Sequence, residues 1–78
     1  MIIQVKQKHI KNGVLGSSSA CPIALALKDS GFVNVYVNSQ DLDIGCNQYD
    51  SPRSVVRFVQ RFDNRKPVKP FNFRLAEK

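Results

Sequence analysis

The chain has 78 residues, 42% of them hydrophobic, with 12 Lys and Arg against 6 Asp and Glu for a formal net charge of +6. That length allows one small domain whose core supplies roughly 3–5 kcal/mol, and the hydrophobic content excludes global disorder. Two cysteines are too few for a disulfide scaffold, the lysine-bearing first fifteen residues do not read as a signal peptide, and the longest apolar run, Ala20 to Leu27, is too short for a bilayer.

Ile2 to Val5 is a β-branched run and reads as a strand. Gln7 to Gly16 is polar, broken by Gly13 and Gly16, with Ile10, Val14 and Leu15 expected to turn inward over the core. Three serines, Ser17 to Ser19, offer caps to a helix from about Ala20 to Ser30. Pro22 is tolerated in the first turn, and Gly31 suits the left-handed position after the last. The run from Ala20 to Leu27 is apolar nearly all round, so this helix is expected to be largely buried. Val33 to Asn38 alternates as a half-buried strand, and Asp41 to Cys46 alternates again after Ser39 and Gln40, which reads as an antiparallel hairpin. Ser51 as N-cap and Pro52 at the first helical position open a second helix. Its Val55, Val56, Phe58, Val59 and Phe62 fall on one side, with Arg53, Arg57, Gln60 and Arg61 on the other; Asp63 and Asn64 end it. Val68 to Leu75 alternates as a strand that Pro67 and Pro70 confine to a sheet edge.

Strand, helix, strand, strand, helix, strand is the order of the split βαβ, or ferredoxin-like, fold. The predicted architecture is therefore a single α+β domain over 1–78, a four-stranded antiparallel sheet with two helices on one face and the first and third strands central.

The charge is not spread evenly. Ser51 to Lys78 holds eight basic residues and two acids, while Met1 to Asp50 holds four of each, so the whole surplus lies in the last third. Residues four apart on a helix stack, so Arg53, Arg57 and Arg61 form a stripe about 12 Å long. Like charges at that spacing repel by a few tenths of a kcal/mol per pair, and anion binding is one reason to keep them. Arg65, Lys66 and Lys69 extend the basic surface; the plain alternative is a solvated helix face. Nucleic acid would be held by the same side chains through phosphate. However, readers of single strands with this strand order also expose stacking aromatics on central strands, and Ile2 to Val5 and Asp41 to Cys46 have none.

Other constellations are weaker. Cys21, in the first turn of a helix, is the one candidate nucleophile. A catalytic thiol needs a base, His9 is the only histidine, and an apolar run follows the cysteine, so core packing is the expected role. Asp41 and Asp43 share a strand face but lack the further oxygens a hard cation requires, and one His with two widely spaced Cys is no zinc site. No metal or cofactor is expected.

The segments Cys21 to Leu27, Ser54 to Asp63 and Pro67 to Leu75 resemble short proteins of unknown function encoded by bacteriophages and bacteria. The resemblance covers most of the chain and its motifs are structural, so it brings no catalytic residue. It implies a phage or mobile-element context, in which small proteins often dock on a host machine and block it, anti-CRISPR proteins among them. The expected function is thus a non-enzymatic, cytoplasmic binding module. It would present Arg53, Arg57, Arg61, Arg65, Lys66 and Lys69 to an acidic host protein, with Tyr36 and Tyr49 as specificity contacts; nucleic acid is the alternative partner, and no membrane is involved.

Overall fold

In a computed structural model, described here for residues 2–38 and 41–75, the chain is a small α+β domain. The elements in order are β1 (Ile2–Val5), α1 (Gln7–Asn12), α2 (Pro22–Asp29), β2 (Val35–Val37), β3 (Asp41–Ile44), β4 (Asn47–Asp50), α3 (Arg53–Asp63) and β5 (Phe71–Arg74). Among the described residues no helix is long and apolar enough to cross a membrane.

The strands form two antiparallel sheets, β1–β5 and β2–β3–β4, not the single four-stranded sheet expected. Two expected pairings are present: the first strand with the last, and the hairpin of β2 with β3. The missing one is the central pairing of β1 with β3. Its physical reason is β4, which takes the second edge of β3, with Ile44 opposite Asn47 and Leu42 opposite Tyr49. Gly45 makes this possible at φ +61, as the first residue of a two-residue loop where a type II′ hairpin turn requires a positive angle. The predicted strand through Cys46 therefore ends at Ile44. The Ser39–Gln40 turn lies outside the described residues; beside it the Asn38 amide donates to the Asp41 carbonyl (2.9 Å).

Inward faces follow the alternation read from the sequence. Ile3 and Val5 stand opposite Phe73 and Phe71 across the β1–β5 pair, and Val35 and Val37 opposite Ile44 and Leu42. These faces meet Ile23, Ala24, Ala26 and Leu27 of α2 and Val55 and Phe58 of α3 in one core. β2 starts two residues later than expected because Asn34 sits at φ +55, outside the extended region, leaving Val33 exposed.

α2 begins two residues late. Cys21 is its N-cap, its Sγ accepting from the Ala24 amide (3.5 Å), while Ser17 Oγ accepts from the Ala20 amide one turn earlier. Gly31 closes α2 at φ +100, with Gly31 N–H donating to Lys28 O and Phe32 N–H to Leu27 O, a Schellman motif. α3 also starts one residue late. Pro52 is its N-cap, its carbonyl accepting from Val55 and Val56, and the Ser51 hydroxyl is buried without a hydrogen-bond partner among the described residues.

The segment from Gln7 to Asn12, read as irregular, is the short helix α1. His9 occupies its third position and accepts the Lys6 amide at Nδ1 (2.8 Å), the role Glu or Gln plays in a capping box. Ile10 turns inward as expected, but Val14 and Leu15 do not and are 53% and 41% exposed. They ride on a turn held by Val14 N–H to Ala20 O (2.8 Å) and tied to α3 by Gly16 N–H to Asp63 Oδ1 (3.1 Å). Gly13 lies so close to Pro22 that a Cβ would meet the ring at 2.6 Å.

Candidate binding surface

The row on α3 lies as its spacing requires. Val55 and Phe58 are buried, Val56, Val59 and Phe62 are half-buried, and Arg53, Arg57, Gln60 and Arg61 are exposed. Phe58 stacks with Phe62 (centroids 6.3 Å apart, 5° between planes) and tilts against Phe71 at 4.9 Å, which fixes how α3 rolls on β5 and so which way its arginines point.

Neutralisation is the next question. The ion pair among the described residues is Lys8–Asp29 (3.0 Å), and His9 Nε2 donates a hydrogen bond to the same carboxylate (2.6 Å). None of Arg53, Arg57, Arg61, Arg65, Lys66 and Lys69 pairs with a described carboxylate. Arg61 Nε donates to the Pro67 carbonyl (3.3 Å), which holds that guanidinium against the chain leaving the helix. The carboxylates nearer in sequence serve elsewhere. Asp63 accepts from Gly16, and Asp41, Asp43 and Asp50 lie on the outer face of β2–β3–β4, Asp41 directly opposite Asp50.

Past α3 the chain repeats the Schellman closure of α2 with a different residue. Arg65 N–H donates to Phe62 O (3.0 Å) and Lys66 N–H to Arg61 O (2.8 Å), with Arg65 at φ +59. Where α2 uses glycine, α3 puts an arginine in the left-handed conformation, at a cost of roughly 1–2 kcal/mol for a residue with a Cβ. Cations at a helix C-terminus offset part of that cost through the dipole. The result fixes Arg65 and Lys66, both exposed, at the end of the arginine row. Lys69, also exposed, follows between Pro67 and Pro70.

The tyrosines separate. Tyr36, 50% exposed, is opposite Asp43 on the acidic outer face of the sheet, whereas Tyr49 is opposite Leu42 and packs partly on the core.

One cluster escaped the sequence reading. His9, 4% exposed, donates from Nε2 to Asp29 Oδ2 while Nδ1 accepts from Lys6, so both ring nitrogens are committed and α1 is bound to α2. Twenty residues separate the pair, and no local pattern announces it. The hydrogen bonds from His9 and Lys8 hold the Asp29 carboxyl below its ordinary value. A folded-state value below the unfolded one means stability that is fully present above the normal carboxylate range and is lost as pH falls through it and below. Urea midpoints measured from pH 6 down to pH 2 are therefore expected to fall less steeply in Asp29→Asn than in the wild type; equal slopes would contradict the linkage.

Cys21 is 3% exposed, and burial pushes its thiol above the ordinary value, the Ala24 amide offsetting part of the shift. Cys46 is exposed in the β3–β4 turn, and both thiols are free. Iodoacetamide is expected to modify Cys46 in the native protein and Cys21 only in denaturant; fast native labelling of Cys21 would refute the packing role. Among the described residues no three His, Cys, Asp or Glu side chains are grouped to hold a metal ion.

No family model, curated protein or solved structure matches this chain.

Proposed function

We propose that the chain is a small non-enzymatic binding module that docks the basic face of α3, with Arg65, Lys66 and Lys69 beyond it, onto an acidic protein surface. The observation that carries this reading is a row of three exposed arginines unpaired with any described carboxylate, extended by an arginine in a backbone conformation that disfavours it. Guanidinium groups suit carboxylate clusters through paired hydrogen bonds, and the segregated field steers encounter. Protein is favoured over nucleic acid because the one exposed aromatic among the described residues, Tyr36, shares its face with three aspartates, which repel phosphate. In the phage context implied by the resemblance, the target is an acidic surface of a host machine in the cytoplasm, and docking inhibits it. Capture from host lysate, repeated after nuclease treatment, tests the choice of partner. A captured protein that survives nuclease and is lost on Arg53, Arg57 and Arg61→Glu supports the reading, and capture abolished by nuclease replaces it with nucleic-acid binding.

A further inference from the structure

Beside the C-terminal end of α3 lies an open cleft of about 340 Å³. Its apolar lining is Ile10, Phe62 and Val68, all half-buried, with Leu15 41% exposed above them. Its rim is cationic, formed by Arg65 and Lys66, and no carboxylate among the described residues lines it. The loop carrying Leu15 is tied to α3 by the Gly16–Asp63 hydrogen bond, and the Schellman closure fixes the two cations, so both walls are set by the fold.

We propose that this cleft takes one large apolar side chain from an acidic peptide segment of the partner, with Arg65 and Lys66 holding carboxylates that flank it; this deepens, and rests on, the reading of α3 as the face that meets an acidic protein. Exposed leucine beside half-buried phenylalanine and valine loses water-accessible apolar area when such a side chain enters, which supplies affinity. The cations on one rim set which residues can flank it, which supplies register. The cleft volume is at the low end of the roughly 300–1,000 Å³ found for small-molecule sites. Being open, it suits a side chain presented from a surface better than an enclosed ligand. The acidic outer face of the sheet, which carries Tyr36, offers no such match.

The test uses two fluorescein-labelled ten-residue peptides of Asp, Glu, Gly and Ser, one with a single central leucine and one with alanine there, titrated with the full chain at low ionic strength. The leucine peptide is expected to bind about tenfold tighter. Leu15→Ser is expected to abolish that preference. Arg65→Gly, which relieves the left-handed arginine and so folds at least as well, is expected to weaken both peptides. Equal affinity of the two peptides, or a leucine preference that survives Leu15→Ser, overturns the cleft assignment alone. Binding of neither peptide overturns the acidic-protein reading with it. A single-stranded oligonucleotide whose affinity drops on Leu15→Ser, or a concentration-dependent dimer of the chain lost in that variant, reassigns the cleft and likewise overturns the proposal.

Discussion

Phe58→Ala is expected to leave the chain mostly unfolded in buffer at room temperature. Phe58 is 6% exposed and stands between Phe62 on its own helix and Phe71 on β5, which in turn contacts Phe73 at 6.0 Å. Truncating a buried phenylalanine costs roughly 3–5 kcal/mol in lost transfer energy and residual cavity. That is the whole stability a core of this length supplies, roughly 3–5 kcal/mol. Losing the ring pairs adds about 0.5–1.5 kcal/mol for each well-placed contact. Two variants separate this mechanism from a general dislike of mutation in α3. Phe62→Ala, at a half-buried site, is expected to weaken the fold without abolishing it, and Phe58→Leu to retain most of the native signal because bulk is kept. Far-ultraviolet circular dichroism with a urea titration reads all three. A cooperative Phe58→Ala transition within about 1 kcal/mol of the wild type would show that the aromatic cluster does not anchor α3.

The second large effect is on binding. Reversing Arg53, Arg57 and Arg61 to glutamate is expected to lower affinity for an acidic protein partner about 100-fold while the fold persists. Three exposed charge pairs at up to about 1 kcal/mol each amount to that factor, and three new like-charge contacts add to it. Apart from the exposed Arg61 Nε–Pro67 carbonyl hydrogen bond, which Arg61→Glu removes, effects on folding largely cancel. Glutamate at position 53 opens the helix at the end its dipole favours for anions, glutamate at 61 sits near the end it disfavours, and the i, i+4 repulsion along the row is the same for either sign. The reversal also brings the formal net charge of +6 to zero, which invites association. The neutral triple Arg→Gln, which leaves the chain at +3, controls for that and is expected to bind with intermediate affinity. A partner retained at full affinity by the folded triple glutamate variant would remove α3 from the interface.

Much of the architecture could be read from punctuation and period. α2 ends at Ser30 and Gly31 as its cap signals require, and α3 shows its apolar and basic sides as the spacing of four dictates; the last strand, expected over Val68 to Leu75, starts only at Phe71, after both prolines, and has β1 as its partner among the described residues. Two short elements were invisible for physical reasons. α1 has six residues, too few for apolar periodicity to register, a lysine where a capping side chain is usual, and an anchor in the long-range His9–Asp29 hydrogen bond. β4, Asn47-Gln48-Tyr49-Asp50, has no β-branched residue and is made a strand by the turn at Gly45 and by pairing with β3, a tertiary effect that outweighs propensity. Missing β4 is what turned two sheets into one in the expected topology.

The site divides in the same way. The arginine row needed only charge and helical spacing, whereas the cleft beside it gathers Ile10 from α1, Leu15 from the turn after it, Phe62 from α3 and Val68 from the segment that follows, and the strain at Arg65 is a backbone angle no residue type declares. Tyr36 and Tyr49 are the expected specificity contacts, and register separates them: Tyr36 points outward as its strand position predicts, but among aspartates, while Tyr49 is half-buried against the core.

The most direct test of an available guanidinium row is a nitrogen-15 spectrum of the arginine side chains during titration with poly-L-glutamate. The Nε–Hε signals of Arg53, Arg57 and Arg65 are expected to move together at low ionic strength and to return when salt near 1 M screens the contact. Arginine signals that stay in place throughout the titration would contradict the account.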